Sequence, residues 1–253
     1  MTTGSITHIC FFVATATFLV LSSIAVSKLS EKWQNIVFII AAVLGTCGIF
    51  FRYAMNLSFA EGLHPSALLV QMLQVCNFNF LLLPLMLIPG CEIARQYSVY
   101  FSMFAATTTF FSVPSALMTY EWYDISVLNF WFNHIFAVAL PIWMMASGRL
   151  RPKRSYIPAV SGSVFTYFGL VYLITEALVN NGILPEGSNY SYVYDPKGLP
   201  LLTQLYKAIG QPFVYLLPVF LIMLVFFYLW SMPFDKSIDA ARGALGVHIT
   251  GDE

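Results

Sequence analysis

The sequence predicts an all-α, polytopic membrane helical bundle of about seven transmembrane helices, with the N-terminus outside and the C-terminus cytoplasmic. Three observations carry that prediction. Of 253 residues, 58% are hydrophobic and 9% are charged, against about a quarter charged in a soluble domain. The apolar residues fall in runs of about 20, the length of helix that crosses ~30 Å of hydrocarbon. Lys and Arg gather on alternate connecting segments, as they do in membrane proteins of fixed orientation. In lipid the exterior needs no charge, provided each helix closes its own backbone hydrogen bonds. A net charge of zero, without a basic patch interleaved with aromatics, argues against a nucleic-acid partner.

Seven apolar stretches follow one another along the chain. The first, 5–27, is preceded by no basic side chain and is longer than a signal-peptide core, so it reads as a retained helix. The second covers 33–53 and the third 65–89. The fourth, 94–118, carries Thr107, Thr108 and Thr109 at its centre and Pro114 beyond them. Threonine hydroxyls can bond back to helix carbonyls, so neither feature forbids a crossing. The fifth, sixth and seventh cover 126–147, 156–179 and 206–231. One side then receives Lys28, Lys32, Arg95, Arg149, Arg151, Lys153, Arg154, Lys236 and Arg242, and the other only Arg52, Lys197 and Lys207. That bias places the N-terminus outside. Two glycosylation-type triplets, Asn56-Leu57-Ser58 and Asn189-Tyr190-Ser191, fall on the outer side. Residues 1–253 read as a single transmembrane domain, with an outer loop at 180–205 packed on the bundle and a cytoplasmic tail at 234–253. The membrane is a bacterial cytoplasmic membrane, or a eukaryotic endomembrane or plasma membrane. No internal repeat suggests an inverted-repeat transporter.

In so apolar a bundle the informative residues are polar ones at membrane depth. The third stretch carries Gln71, Gln74, Cys76, Asn77 and Asn79, and the fifth carries Asn129, Asn133 and His134. Glu176 and Arg52 stand near the outer ends of the sixth and second. His134 is the histidine deepest in a span, since His8 is near the N-terminus, His64 precedes a helix and His248 is in the tail. A two-histidine haem site is therefore not available. The cysteines, Cys10, Cys47, Cys76 and Cys91, form no CxxC pair and have no zinc spacing. No metal or cofactor is expected. At 1.5 Å per residue Cys76 lies ~15 Å and His134 ~12 Å from the outer face, so the two can meet if their helices are neighbours. Cys47 lies at a similar depth and is not excluded on that ground. A thiol in apolar surroundings is a poor nucleophile. A histidine in hydrogen-bond reach can take its proton at the moment of attack, and Asn77, Asn79 or Asn133 can orient the ring or donate to an oxyanion. The same residues fit blander roles. His134 can be interhelical packing glue, His134 and Glu176 can serve a proton-coupled transporter or channel, and the chain can be a non-catalytic subunit of a membrane complex.

Three segments carry a resemblance to a known family: QMLQVCNFNF around Cys76, FNHIFAVALPIW around His134, and GSNYSYVYDPKG followed by a last helix ending in SMPF. Over about 65–234 the chain resembles the YwaF-like integral membrane proteins, which include a vertebrate lipid acyltransferase of ether-phospholipid synthesis. The resemblance implies that Cys76 and His134 are the reactive pair. It also implies a phospholipid acyl donor and a lysophospholipid acceptor as partners, with the acyl chain held between them as a thioester on Cys76.

Overall fold

The computed structural model describes residues 3–54, 72–111, 120–196 and 200–234. Among them every regular element is helical and none is a strand. Five helices are long and apolar enough to cross a membrane: Ile6–Ser27, Glu31–Phe51, Ile125–Ala146, Arg154–Asn180 and Val214–Phe234. The first four coincide with the first, second, fifth and sixth stretches expected from the sequence. The last overlaps the seventh, 206–231, but starts at Val214, since residues 206–209 belong to a separate helix, Pro200–Ile209. The five make the chain an integral membrane protein. The third and fourth stretches are built differently, and residues 65–71 and 112–118 of them lie outside the described residues, as do Asn56 and the tail 235–253.

The chain forms two compact units, residues 1–150 and 151–253. In the first, α1 (Ile6–Ser27) is capped by Ser5, whose hydroxyl accepts from the His8 backbone N–H at 3.3 Å. Its Val13, Val20 and Leu21 are left exposed, which suits a lipid-facing surface. Next comes α2 (Glu31–Ala54), with Gly45 and Gly48 on its inner face. A Cβ on Gly45 would lie 2.7 Å from Leu83 Cδ1, so the missing side chain is what lets the neighbouring helix approach.

The third stretch turns at 72–74 and only then enters α3 (Val75–Leu82), which passes into a 3-10 turn at Pro84–Leu87. Pro84 has no N–H to give to the Phe80 carbonyl, as the fourth residue on would in an α-helix. That carbonyl accepts instead from the Leu83 N–H at 3.3 Å and from the Thr46 hydroxyl on α2 at 2.9 Å. The fourth stretch is helical without a break from 92 to 111, as α4 (Glu92–Tyr97), a π-helical segment (Ser98–Ser102) and α5 (Met103–Phe111). Thr107, Thr108 and Thr109 donate to the carbonyls of Met103, Ala105 and Ala106, each at 2.7 Å, as the sequence reading expected.

The centre of this unit is α6 (Ile125–Ala146), whose N-cap Asp124 accepts from Ser126 N at 2.7 Å. It is apolar all round and buries Trp131, Asn133, His134, Ala137 and Leu140. The Trp131 ring stacks between Phe11 and Phe110, 5.4 Å from each.

The second unit holds α7 (Ile157–Asn180), α8 (Pro200–Ile209) and α9 (Leu217–Ser231). The segment between α7 and α8 is tied back by tyrosines. Tyr194 OH lies 3.1 Å from the Tyr172 carbonyl and 2.7 Å from a Glu176 carboxylate oxygen, which takes its one proton, and Tyr215 OH donates to the Tyr192 carbonyl. Ser191 and Tyr192 take left-handed backbone at φ 51° and 62°. Such strain persists only where the surroundings hold it. Asn189, read as a glycosylation acceptor, is buried, and its amide donates to the Asp195 carbonyl at 2.7 Å and accepts from Tyr194 N at 3.1 Å.

Candidate functional site

Cys76 is the second residue of α3 and Asn77 the third. The sequence places Cys76 well inside a continuous helix. Instead it stands in the first turn of one, because Gln74 is extended (φ −82°, ψ 122°) and its carbonyl accepts from Phe78 N at 3.1 Å to open the helix. In a first turn the backbone N–H groups point outward along the axis and the peptide dipoles add to a partial positive charge. Cys76 is half-buried, while Asn77 and Asn79 are buried.

His134 lies near the middle of α6 and is 2% exposed. Its Nδ1 is 2.7 Å from the Phe130 carbonyl one turn back. A carbonyl only accepts, so Nδ1 carries the ring proton and the basic lone pair is on Nε2. Two rings hold the imidazole. Phe130 lies against it at 4.1 Å between centroids, and Phe80 meets it nearly edge-on at 5.2 Å. Phe80 belongs to α3, four residues after Cys76, and so projects from the same side of that helix. The Phe80 contact therefore fixes the side of α3 that faces His134, and Cys76 is on that side one turn toward the helix start.

Asn133, beside His134 in the chain, presses its side-chain amide on Gly48 so closely that any Cβ there would overlap it. Asn129 Nδ2 donates to the Gly48 carbonyl at 3.4 Å. The two glycines and Thr46 thus make α2 the surface on which α3 and α6 are both seated.

Around the same place are buried polar groups that sequence reading missed. Ser98 and Ser102 of the π-helical segment are fully enclosed. Their hydroxyls, both polar atoms of the Asn79 amide, and Asn133 Oδ1 have no hydrogen-bond partner among the described residues. The segment that carries the serines packs against both α3 and α6, which pack against each other. The usable sequence signal is the pair Ser98 and Ser102, four residues apart among apolar and aromatic neighbours.

Cys10 and Cys47 are exposed, Cys91 is half-buried, and no disulfide joins any of the four cysteines. Among the described residues no three His, Cys, Asp or Glu side chains gather as a metal site would need. Glu176 belongs to the second unit, exposed, accepting from Tyr194 OH at 2.7 Å and from Asn180 Nδ2 at 3.4 Å. Burial, and then the Glu176 carboxylate, push the Tyr194 hydroxyl above its ordinary range. The Arg52 side chain lies outside the described residues.

The chain belongs to the TMEM164 family, whose family model matches residues 2–231 and so takes in Cys76 and His134. None of the curated proteins and none of the solved structures matches it.

Proposed function

We propose that the protein is a membrane-embedded acyltransferase that moves an acyl chain between phospholipids through a thioester on Cys76, with His134 as the base. The observation that carries this reading is the placement of a half-buried cysteine in a helix's first turn, on the face whose next turn, Phe80, meets the His134 ring. The resemblance to the YwaF-like proteins points the same way.

In the first half-reaction Cys76 Sγ attacks the ester carbonyl of a diacyl phospholipid, and the thiol proton passes to His134 Nε2. The bond from the carbonyl carbon to the glycerol oxygen breaks. That oxygen takes the proton from His134, and a lysophospholipid leaves. In the second half, the hydroxyl of an acceptor lysophospholipid gives its proton to His134 and attacks the thioester, whose C–S bond breaks and returns the proton to Cys76. The step requires no soluble cofactor, since the donor is already an ester in the bilayer.

Seven crossings with an outer N-terminus belong to the same proposal. The run from 92 to 111 is ~30 Å long at 1.5 Å per residue, enough to cross the hydrocarbon once. The turn and helix at 72–87 form the described part of the remaining one.

The test is purified protein in liposomes of a phospholipid labelled in its acyl chain. The labelled acyl group is expected on Cys76, released by hydroxylamine, and absent from Cys76→Ala. His134→Ala is expected to lose at least a hundredfold in rate, the usual size of general base catalysis. Acyl transfer that survives Cys76→Ala would overturn the reading.

A further inference from the structure

We propose that Asn79, with Ser98, Ser102 and Asn133, forms a neutral polar site that binds the free hydroxyl of the acceptor lysolipid. The inference rests on the acyl-transfer reading for the role of that lipid, though not for its binding. Five buried polar atoms on three helical segments that pack on one another lack a protein partner among the described residues: Asn79 Nδ2 and Oδ1, Ser98 Oγ, Ser102 Oγ, and Asn133 Oδ1 where it lies against Gly48 of α2. A buried donor or acceptor left unmade costs its full desolvation, so a native helix bundle does not collect several of them in one place without something for them to bond. The π-helical segment points in the same direction. It widens the helix by one residue per turn, and such segments are concentrated at functional sites.

The chemistry of the group selects its ligand. No Asp, Glu, Lys or Arg is among the buried side chains of the described residues. A phosphate brought here would lose its hydration without a counter-charge, and a quaternary ammonium has no proton to give. An ester carbonyl only accepts, which would leave Asn79 Oδ1 and Asn133 Oδ1 unbonded. A hydroxyl both donates and accepts, and so does the set it would meet: one amide N–H₂, two amide oxygens and two serine hydroxyls. Asn79 is also three residues from Cys76 on α3, where side chains are helix-surface neighbours. A hydroxyl held by Asn79 is therefore presented to the sulfur that carries the acyl chain.

The experiment uses full-length Cys76→Ala protein in nanodiscs, so that nothing turns over. Two probes are titrated, a 1-acyl lysophospholipid and the same lipid with its sn-2 hydroxyl replaced by hydrogen. The hydroxyl lipid is expected to bind roughly tenfold more tightly, the size of one buried hydrogen bond with an orphaned partner. In Asn79→Leu that preference is expected to vanish. In Ser98→Ala with Ser102→Ala, a smaller change made in case Asn79→Leu does not fold, the preference is expected to shrink several-fold. Equal binding of the two lipids, as a site holding only water would give, overturns the proposal. So does a preference that survives both sets of substitutions. The acyl-transfer reading is checked separately by thioester formation in protein with Cys76 intact. Failure there leaves a hydroxyl-dependent binding result standing.

Discussion

The His134 imidazole is tied at Nδ1 and wedged between two phenylalanine rings, so its basic nitrogen can point in only one direction. Glu176 is a contrasting case. Its carboxylate is exposed and belongs to the tyrosine-tied segment of the second unit, accepting from Tyr194 OH. Glu176→Gln keeps an acceptor for that hydroxyl and removes only the charge. It is therefore expected to keep Cys76-dependent acyl transfer within a few-fold of wild type. Loss as complete as that of Cys76→Ala would make Glu176 part of the chemistry and favour a proton-coupled transporter. Tyr194 itself gives a pH signature. Its proton is held in the folded protein above the range where a free tyrosine ionises, about pH 10. Above that pH the unfolded chain binds fewer protons than the folded one, so the contribution of Tyr194 falls as pH rises. The thermal stability advantage of wild type over Tyr194→Phe is expected to be constant below pH 9 and to shrink beyond pH 10. An advantage that grows with pH would refute the assignment. At this scale the sequence was informative where a residue type is rare at membrane depth, as with Cys76 and His134. It was silent on Ser98 and Ser102, because serine in a membrane helix ordinarily bonds its own backbone and only the fold shows that these two do not.

At the scale of elements, α3 is short for a chemical reason. Pro84 removes one donor, and Thr46 on a different helix supplies the replacement. The two residues should therefore be coupled. Thr46→Val removes the shorter of the two hydrogen bonds to the Phe80 carbonyl, which keeps the Leu83 N–H at 3.3 Å, a loss of about 1 kcal/mol. In a Pro84→Ala background an N–H is restored four residues after that carbonyl, and the same threonine change is expected to cost less than half as much. Thermal unfolding of the four variants in detergent measures the coupling. Additive effects would mean that the threonine bond does not stand in for the missing helical one. The long apolar helices were legible from length and hydropathy, since those two properties decide whether a segment can cross. The third stretch was legible as apolar but not as a turn followed by a late-starting helix. No proline or glycine stands at 72–74, and the start of α3 is held by packing on α2 and α6, which no local signal records.

For the molecule as a whole the open matter is orientation, and the first unit constrains it internally. Arg149, at the end of α6, reaches Glu31 at 3.0 Å and Asn35 at 3.2 Å at the start of α2. The positive residues Lys28, Lys32 and Arg149 thus share one face of this unit. At the opposite face the start of α1 meets the end of α5 through His8 Nε2 and the Phe110 carbonyl, 3.0 Å apart. His8 is thereby a buried structural residue. Its Nδ1 accepts from Gly4 N at 3.0 Å, which leaves the proton on Nε2 for Phe110. Since Phe110 is near one end of the helical run 92–111 and Arg95 near the other, Arg95 falls on the face of Arg149. Lys28, Lys32, Arg95 and Arg149, which the charge count assigned to one side, accordingly share one face of this unit, and in the proposed orientation that face is the cytoplasmic one. Single cysteines introduced as Ser30→Cys, Arg151→Cys and Tyr123→Cys, in a background without other thiols, test the assignment in intact cells. An impermeant maleimide is expected to label position 123, which precedes α6 at the opposite end from Arg149, and to reach 30 and 151 only after the membrane is permeabilised. Labelling of 30 and 151 but not 123 would invert the bundle. Labelling that separates 30 from 151 would contradict the Arg149–Glu31 contact and, with it, the packing of α2 on α6 that seats Asn133 and His134.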